Sequence, residues 1–260
     1  MDVDIVEFVV PVENNKTVLV WNIEPLTEAE INDRLFAVFS SFGPLYLLKL
    51  TPNAWPRPHG FSALIKFYSG VQAAEAQRET DGRSFFNSQL KVRLSSKQTP
   101  HFLCNSNKPL SHSHCLELAN HCLGFNGWTS DIITLKELTD EGDVRGEEGG
   151  VSERRLRFGC VLQLSFPHHG KTTRGGAVVE DTCTDTVLQS RSKLLKRVRD
   201  RALVQAFSNV LLILLGNGKV MVEVKQTSEQ FVPEQTEGVV QVNHFDPDEG
   251  EDDEWDLTVS

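Results

Sequence analysis

The chain has 260 residues, 39% of them hydrophobic and 24% charged, and a formal net charge of −10. That composition excludes a wholly disordered or fibrous chain and suits two small domains better than one large one. The acidic average is misleading, because residues 246–260 hold eight acidic and no basic side chains and leave only −2 for the rest; local patches therefore decide what the surface can bind.

In chain order, KTVLVWNI (16–23) reads as a strand from its β-branched and aromatic content. TEAEINDRLFAVFSSF (27–42) puts Ile31, Leu35, Val38, Phe39 and Phe42 on one helical face. Thr27 and Glu30 form a capping box at its start, and Gly43-Pro44 ends it. LYLLKL (45–50) is a second strand, followed by the Pro-rich loop TPNAWPRPH. GFSALIKF (60–67) alternates, with Phe61, Ala63, Ile65 and Phe67 on the core side. Residues 69–80 form a helix with Val71, Ala73 and Ala74 facing inward, and QLKVRL (89–94) closes the sheet.

A βαββαβ order over about 80 residues resembles the RNA recognition motif, a four-stranded sheet backed by two helices. VLVWNI (18–23) and GFSALIKF (60–67) stand where its two signature strands belong, but Leu19, Ser62 and Leu64 hold the positions expected for aromatics. Trp21, and with it Tyr46, can stack bases instead, while Lys49, Lys66, Lys91 and Arg93 meet phosphates. An alternative stays open, in which the Leu19/Leu64 face takes protein. Arg83-Ser84-Phe85 resembles the Arg-x-Phe of splicing-factor homology motifs, and Glu28, Glu30 and Asp33 supply acids as those peptide-binding modules do.

Residues 96–113 are polar, contain two prolines and read as a linker. The scatter of His101, Cys104, His112, His114, Cys115, His121 and Cys122 matches no zinc spacing, so Cys115 and Cys122 are expected to pack on a helix. GKT (170–172) lacks the glycine a phosphate-binding loop needs five residues earlier, where Ser165 stands. No nucleophile–base pair or paired carboxylates stand out, so neither catalysis nor a cofactor is expected.

From residue 114 a second order begins. CLELANHCLGFNGW is a helix with Leu116, Ala119 and Leu123 inward, closed by a glycine. ITLKEL (133–138), RRLRFGCVLQLSF (154–166) and GGAVVED (175–181) are strands, TDEGDVRGEEGGVSE (139–153) is an acidic loop, and a long helix covers 187–215, ending at Gly216. In GFNGW (124–128) the glycines allow tight turns. Phe125 and Trp128 either clasp the helix end against the sheet or leave Trp128 to stack on a base.

ELANHCLGFNGWTSDI and the elements after it resemble the single-strand annealing domain of the Rad-fifty-two recombination mediators. An RNA recognition motif followed by such a segment resembles the Rad-fifty-two motif-containing family. The resemblance implies basic DNA contacts on the long helix and on the helix before GFNGW. Arg201 matches one such position, His114 stands where an arginine is expected, and Ala202 and Gln205 replace two further basic residues. Independently, Lys193, Arg197 and Arg201 are spaced i, i+4, i+8 and line one helical face, suited to tracking a phosphate backbone. Much of the ring-building part of the annealing domain has no counterpart, so no ring is expected.

The sequence thus reads as an α+β protein: a ferredoxin-like RNA recognition motif (1–95), a linker (96–113), a smaller α+β domain resembling part of the annealing fold (114–225) and a disordered acidic tail (226–260). In the tail, Trp255 and Leu257 suggest docking to a basic, grooved protein partner; alternatively the acidic tail masks the basic helix by competing for it. The acidic opening MDVDIVEFVVP is unlike a secretory leader, no apolar run approaches the ~20 residues of a membrane helix, and the five cysteines include no CxxC. The expected function is non-enzymatic binding of single-stranded DNA and RNA in double-strand-break repair or recombination, in nucleus and cytoplasm, with self-association left open. The alternative is a peptide-binding adaptor in RNA processing that uses Arg83 and Phe85.

Overall fold

The computed structural model describes residues 3–53, 60–85, 88–95, 108–138, 154–183, 187–216 and 218–225. The readings that concern the acidic loop 139–153 and tail residues Trp255 and Leu257 lie outside them.

The first layer forms as its alternation dictates. Strands β2 (Thr17–Ile23), β3 (Leu45–Pro52), β4 (Phe61–Phe67) and β7 (Lys91–Leu94) make one antiparallel sheet in the order β3-β4-β2-β7. Helices α1 (Glu28–Ser40) and α2 (Gly70–Thr80) supply the βαββαβ connections, and a two-stranded ribbon, β5 (Ser84–Phe85) with β6 (Ser88–Gln89), precedes β7. Thr27 caps α1 by accepting the Glu30 amide, as the capping box predicts. Val18, Val20, Ile65, Phe67 and Val92 turn inward against Ile31, Leu35 and Phe39 of α1. The inward face of α2 differs from expectation. Ser69 caps this helix, and the phase set from there buries Ala73 and Ala76 while Val71 is 50% exposed and Ala74 is exposed. Alanine-rich helices carry too little hydrophobic contrast for their sequence to reveal the phase.

The second layer runs α3 (His112–Leu123), β8 (Thr129–Glu137), β9 (Arg154–Phe166), β10 (Lys171–Cys183) and α4 (Val187–Ser208), with the three strands in the order β10-β9-β8. Both helices pack on the face that carries Leu156, Phe158, Cys160, Leu162 and Leu164. Cys115 of α3 is fully buried there, and burial pushes its thiol up to about 12. Where α4 crosses β10, Gly175 is required: a β-carbon would lie 2.2 Å from the Ala206 amide nitrogen and 2.5 Å from the Ala202 carbonyl oxygen.

The expected helix through 215 is corrected. It stops at Ser208, and Val210–Leu215 form strand β11 in a sheet ordered β1-β11-β12, with β1 Val3–Glu7 and β12 Val220–Val224. The run VLLILL has β-branched Val210 and Ile213 and begins with the buried-exposed alternation of a strand, and once β1 arrives from the other end of the chain its backbone groups find partners on both sides. The boundary expected at residue 95 is therefore crossed. The N-terminal strand pairs with β11, and Phe8 stacks on Phe207 of α4 with ring centroids 4.7 Å apart.

The two layers meet at a small polar and aromatic joint. Tyr46 lies edge-on to Tyr68 at 5.7 Å and against the His114 ring at 4.9 Å, and Ser69 hydrogen-bonds Asp4.

Candidate nucleic-acid interface

Two surfaces carry the cations that the sequence singled out. The first is the open side of the β3-β4-β2-β7 sheet. Because β-strand side chains alternate, burying Val18, Val20, Ala63, Ile65 and Val92 turns Leu19, Trp21, Leu64, Lys91 and Arg93 outward. The register lines up Lys49, Leu64, Leu19 and Arg93 in one row across all four strands, with a cation at each edge and two leucines between. Trp21 faces Lys91 across β2 and β7. It is held at a bulge where Asn22 adopts φ 65; the Asn22 side-chain amide donates to the Gln89 carbonyl at 2.7 Å and Ser88 Oγ donates to the Asn22 carbonyl at 2.7 Å. Lys66 lies apart from this row. It is half-buried beside the Glu13–Lys16 ion pair, and burial lowers its pKa.

Tyr46 is not on this face. The irregularity between Leu45 and Leu47 makes it the extra residue of β3 and turns its ring into the core of the second layer. A bulge reverses facing parity for one residue, which counting along the strand cannot reveal. For the peptide-binding alternative, Arg83 is exposed and bound to Glu79 at 2.8 Å, Glu30 is paired with Arg34, and the Phe85 side chain lies outside the described residues.

The second surface is the outer side of α4. Leu194, Val198 and Ala202 face the core. One residue before each, Lys193, Arg197 and Arg201 are exposed, and Lys196 joins them. Among the described residues, no acidic side chain pairs with these four. The other cations of the helix are engaged: Arg191 is 2.6 Å from Glu137 and lies over the Phe158 ring, and Arg199 Nε donates to the Leu195 carbonyl. Asp200, the single acid in the stretch, is drawn 3.6 Å from His112 of α3. That contact was not legible in the sequence. Ala202 packs where α4 touches Gly175, so a long basic side chain has no room at this position.

The remaining candidates lie elsewhere. His114 sits at the start of α3, with Nδ1 3.0 Å from Ser111 Oγ and its ring on Tyr46. Trp128 donates from Nε1 to Asn120 at 2.9 Å and meets Phe207 edge-on at 5.3 Å. GFNGW is thus a clasp made by Trp128 alone. Gly124 takes φ 76, and a β-carbon on Gly127 would lie 2.2 Å from the Leu123 carbonyl oxygen, so both turns need glycine. Phe125, expected to share the clasp, is 84% exposed because those turns throw it outward. Trp128→Phe should therefore cost about 1 kcal/mol through the lost hydrogen bond, whereas Phe125→Ser should change stability by less than ~0.5 kcal/mol; urea unfolding of the two variants checks both. Among the described residues no cluster of three or more His, Cys, Asp or Glu is placed to hold a metal, and no helix is long and apolar enough to cross a membrane.

Comparison with known proteins follows these layers. A family model described as the RDM1 DSRM domain matches residues 110–211, which span α3 to β11. Among solved structures, the RRM3 domain of Mip6 is similar over 33% of this chain and 99% of that one, at 23% identity and a TM-score of 0.27. An RNA15 RRM is similar over 32% and 91%, at 26% identity and a TM-score of 0.26. Among curated proteins, RAD52 motif-containing protein 1 of Danio rerio is 48% identical, covering 99% of this chain and 98% of its own length. Its namesakes in Gallus gallus and Homo sapiens are 38% and 35% identical, covering 93% and 92% of this chain and 89% and 88% of their own. With matches of that identity covering more than nine-tenths of its length, the chain belongs to the RAD52 motif-containing protein 1 family.

Proposed function

We propose that this protein binds single-stranded DNA and RNA without catalysing a reaction, and acts in double-strand-break repair or recombination and the damage response, in nucleus and cytoplasm. The observation that carries the binding is the exposed cationic row Lys193, Arg197, Arg201 with Lys196 on α4, without an acidic partner among the described residues and set on a helix whose other face is locked into the core. Exposed guanidinium and ammonium groups one helical turn apart suit successive phosphates, and displacement of counterions drives the association. The RNA recognition motif adds a second contact, with Lys49 and Arg93 for phosphates and Trp21 with Leu19 and Leu64 for bases. The repair role is supported by the motif in the name that the relatives share.

The test is fluorescence anisotropy of labelled single-stranded DNA, single-stranded RNA and duplexes over a salt series. Affinity for single strands should fall steeply with salt, and Trp21→Ala should weaken it by about 1–3 kcal/mol if a base stacks there. Absence of binding to every oligonucleotide would overturn the proposal. A second reading is favoured by the family model, whose DSRM label denotes a double-stranded RNA-binding motif, and by the αβββα order of the matched segment. It requires duplex RNA to bind more tightly than a single strand of equal length.

A further inference from the structure

The outward side of the β3-β4-β2-β7 sheet carries an apolar diagonal between its cationic edges. Leu19 and Leu64 face each other across β2 and β4, Trp21 follows Leu19 two residues along β2, and Leu47 of β3 lies one diagonal step from Leu64. Leu19, Trp21 and Leu64 are partly exposed, and Leu47 is 41% exposed. Cross-strand partners on one face stand about 5 Å apart, so the two central leucines make one continuous floor. Exposed cations close both ends of their row, Lys49 on β3 and Arg93 on β7. Ser62, the neighbour of Leu64 two residues back along β4, spends its hydroxyl proton on the Thr51 carbonyl at 3.3 Å.

Such a floor reads a base differently from an aromatic one. An aromatic platform stacks every base alike, because each base has a π-face. Leucine offers neither a flat partner nor a hydrogen bond; what it rewards is apolar area taken out of water. Among the pyrimidines, the group that supplies such area is the C5-methyl of thymine, which uracil and cytosine lack. Four strands set Lys49 and Arg93 about 14 Å apart, so a strand whose phosphates meet those two cations lays the bases between them over Leu19 and Leu64. Resting on the proposed role of this sheet as a single-strand contact, we propose that Leu19 and Leu64 are specificity-determining residues that select thymine over uracil, and with it DNA over RNA in pyrimidine tracts. Burial of one methyl-sized group raises affinity about fourfold, so two thymines on the floor gain about tenfold. Stacking on Trp21 and attraction to the α4 cations serve any base and any strand alike, and neither produces a methyl preference of that size.

The experiment is an anisotropy titration of the full chain with labelled homopolymers of deoxythymidine, deoxyuridine and uridine, equal in length and at one salt concentration. The first two strands differ only in their methyl groups. The wild type is expected to bind the thymidine strand about tenfold more tightly than the deoxyuridine strand, and to prefer it over the uridine strand by at least as much. In Leu19→Ala/Leu64→Ala the ratio between the first two should fall to about twofold or less, mainly through weaker thymidine binding. Leu64→Phe installs a flat partner instead; it should tighten deoxyuridine binding several-fold and narrow the same ratio. Both leucines lie on the outward face, and circular dichroism confirms that each variant is folded. Equal wild-type affinity for the first two strands overturns the inference while single-strand binding stands. So does a methyl preference that survives the double substitution, because the methyl contact then lies elsewhere. Absence of binding to all three strands overturns the single-strand reading itself, and this inference with it.

Discussion

Replacing Lys193, Arg197 and Arg201 together with alanine should lower single-strand affinity about 50-fold at physiological salt and flatten the salt dependence by about 2 in log–log slope. The figure follows from a slope of about 0.7 per phosphate contact for single strands, applied to three contacts and carried from 1 M down to about 0.15 M salt. Near 1 M salt the triple variant and the wild type should bind alike, because the lost free energy is that of counterion release. The substitution leaves the fold intact, since the three side chains are exposed while Leu194, Val198 and Ala202, which hold the helix down, are untouched. Anisotropy titrations at several salt concentrations check the prediction. An unchanged slope would remove α4 from the interface and leave the open side of the β3-β4-β2-β7 sheet as the binding site.

Gly175→Val should destabilise the protein by about 3 kcal/mol or more, a cost in the upper range of overpacking substitutions. Even the β-carbon would lie 2.2 Å from the Ala206 nitrogen and 2.5 Å from the Ala202 oxygen, and both are backbone atoms of α4 that cannot rotate away. Relief requires the helix to lift from β10, which loosens the packing of Leu203 and Phe207 against the sheet. Gly176 supplies the control. Its added carbon would have Cys160 oxygen as nearest neighbour at 3.7 Å, ordinary contact distance, so Gly176→Ala should shift stability by less than about 1 kcal/mol. Urea unfolding of both variants tests the pair, and equal effects would refute the close approach of α4. The same geometry links stability to function, because the cationic row is presented by the helix that Gly175 lets down.

Much of the first layer is legible in short stretches of the chain. The alternation in GFSALIKF and KTVLVWNI, and Thr27 with Glu30 at the head of α1, depend only on neighbours within a few residues, and the folded chain keeps them. The phase of α2 is not legible, because Ala73, Ala74 and Ala76 are equally small. Phe125 and Trp128 are likewise similar in sequence and opposite in fate, since the turns at Gly124 and Gly127 decide which ring faces Phe207.

By itself the amino-acid sequence determined the βαββαβ order, the boundaries of β9 and the periodic cations of α4, since each follows from local periodicity and the stereochemistry of short segments. Tertiary structure alone decided that VLLILL would be a strand, that the N-terminus would pair with it more than 200 residues downstream, and that Tyr46 would leave the sheet face for His114. It also decided that Asp200 would be drawn to His112 while Lys193, Lys196, Arg197 and Arg201 kept no acidic partner among the described residues. Those outcomes depend on which distant backbone and side-chain groups arrive to satisfy hydrogen bonds and fill space, and that information is absent from any window of the chain read alone.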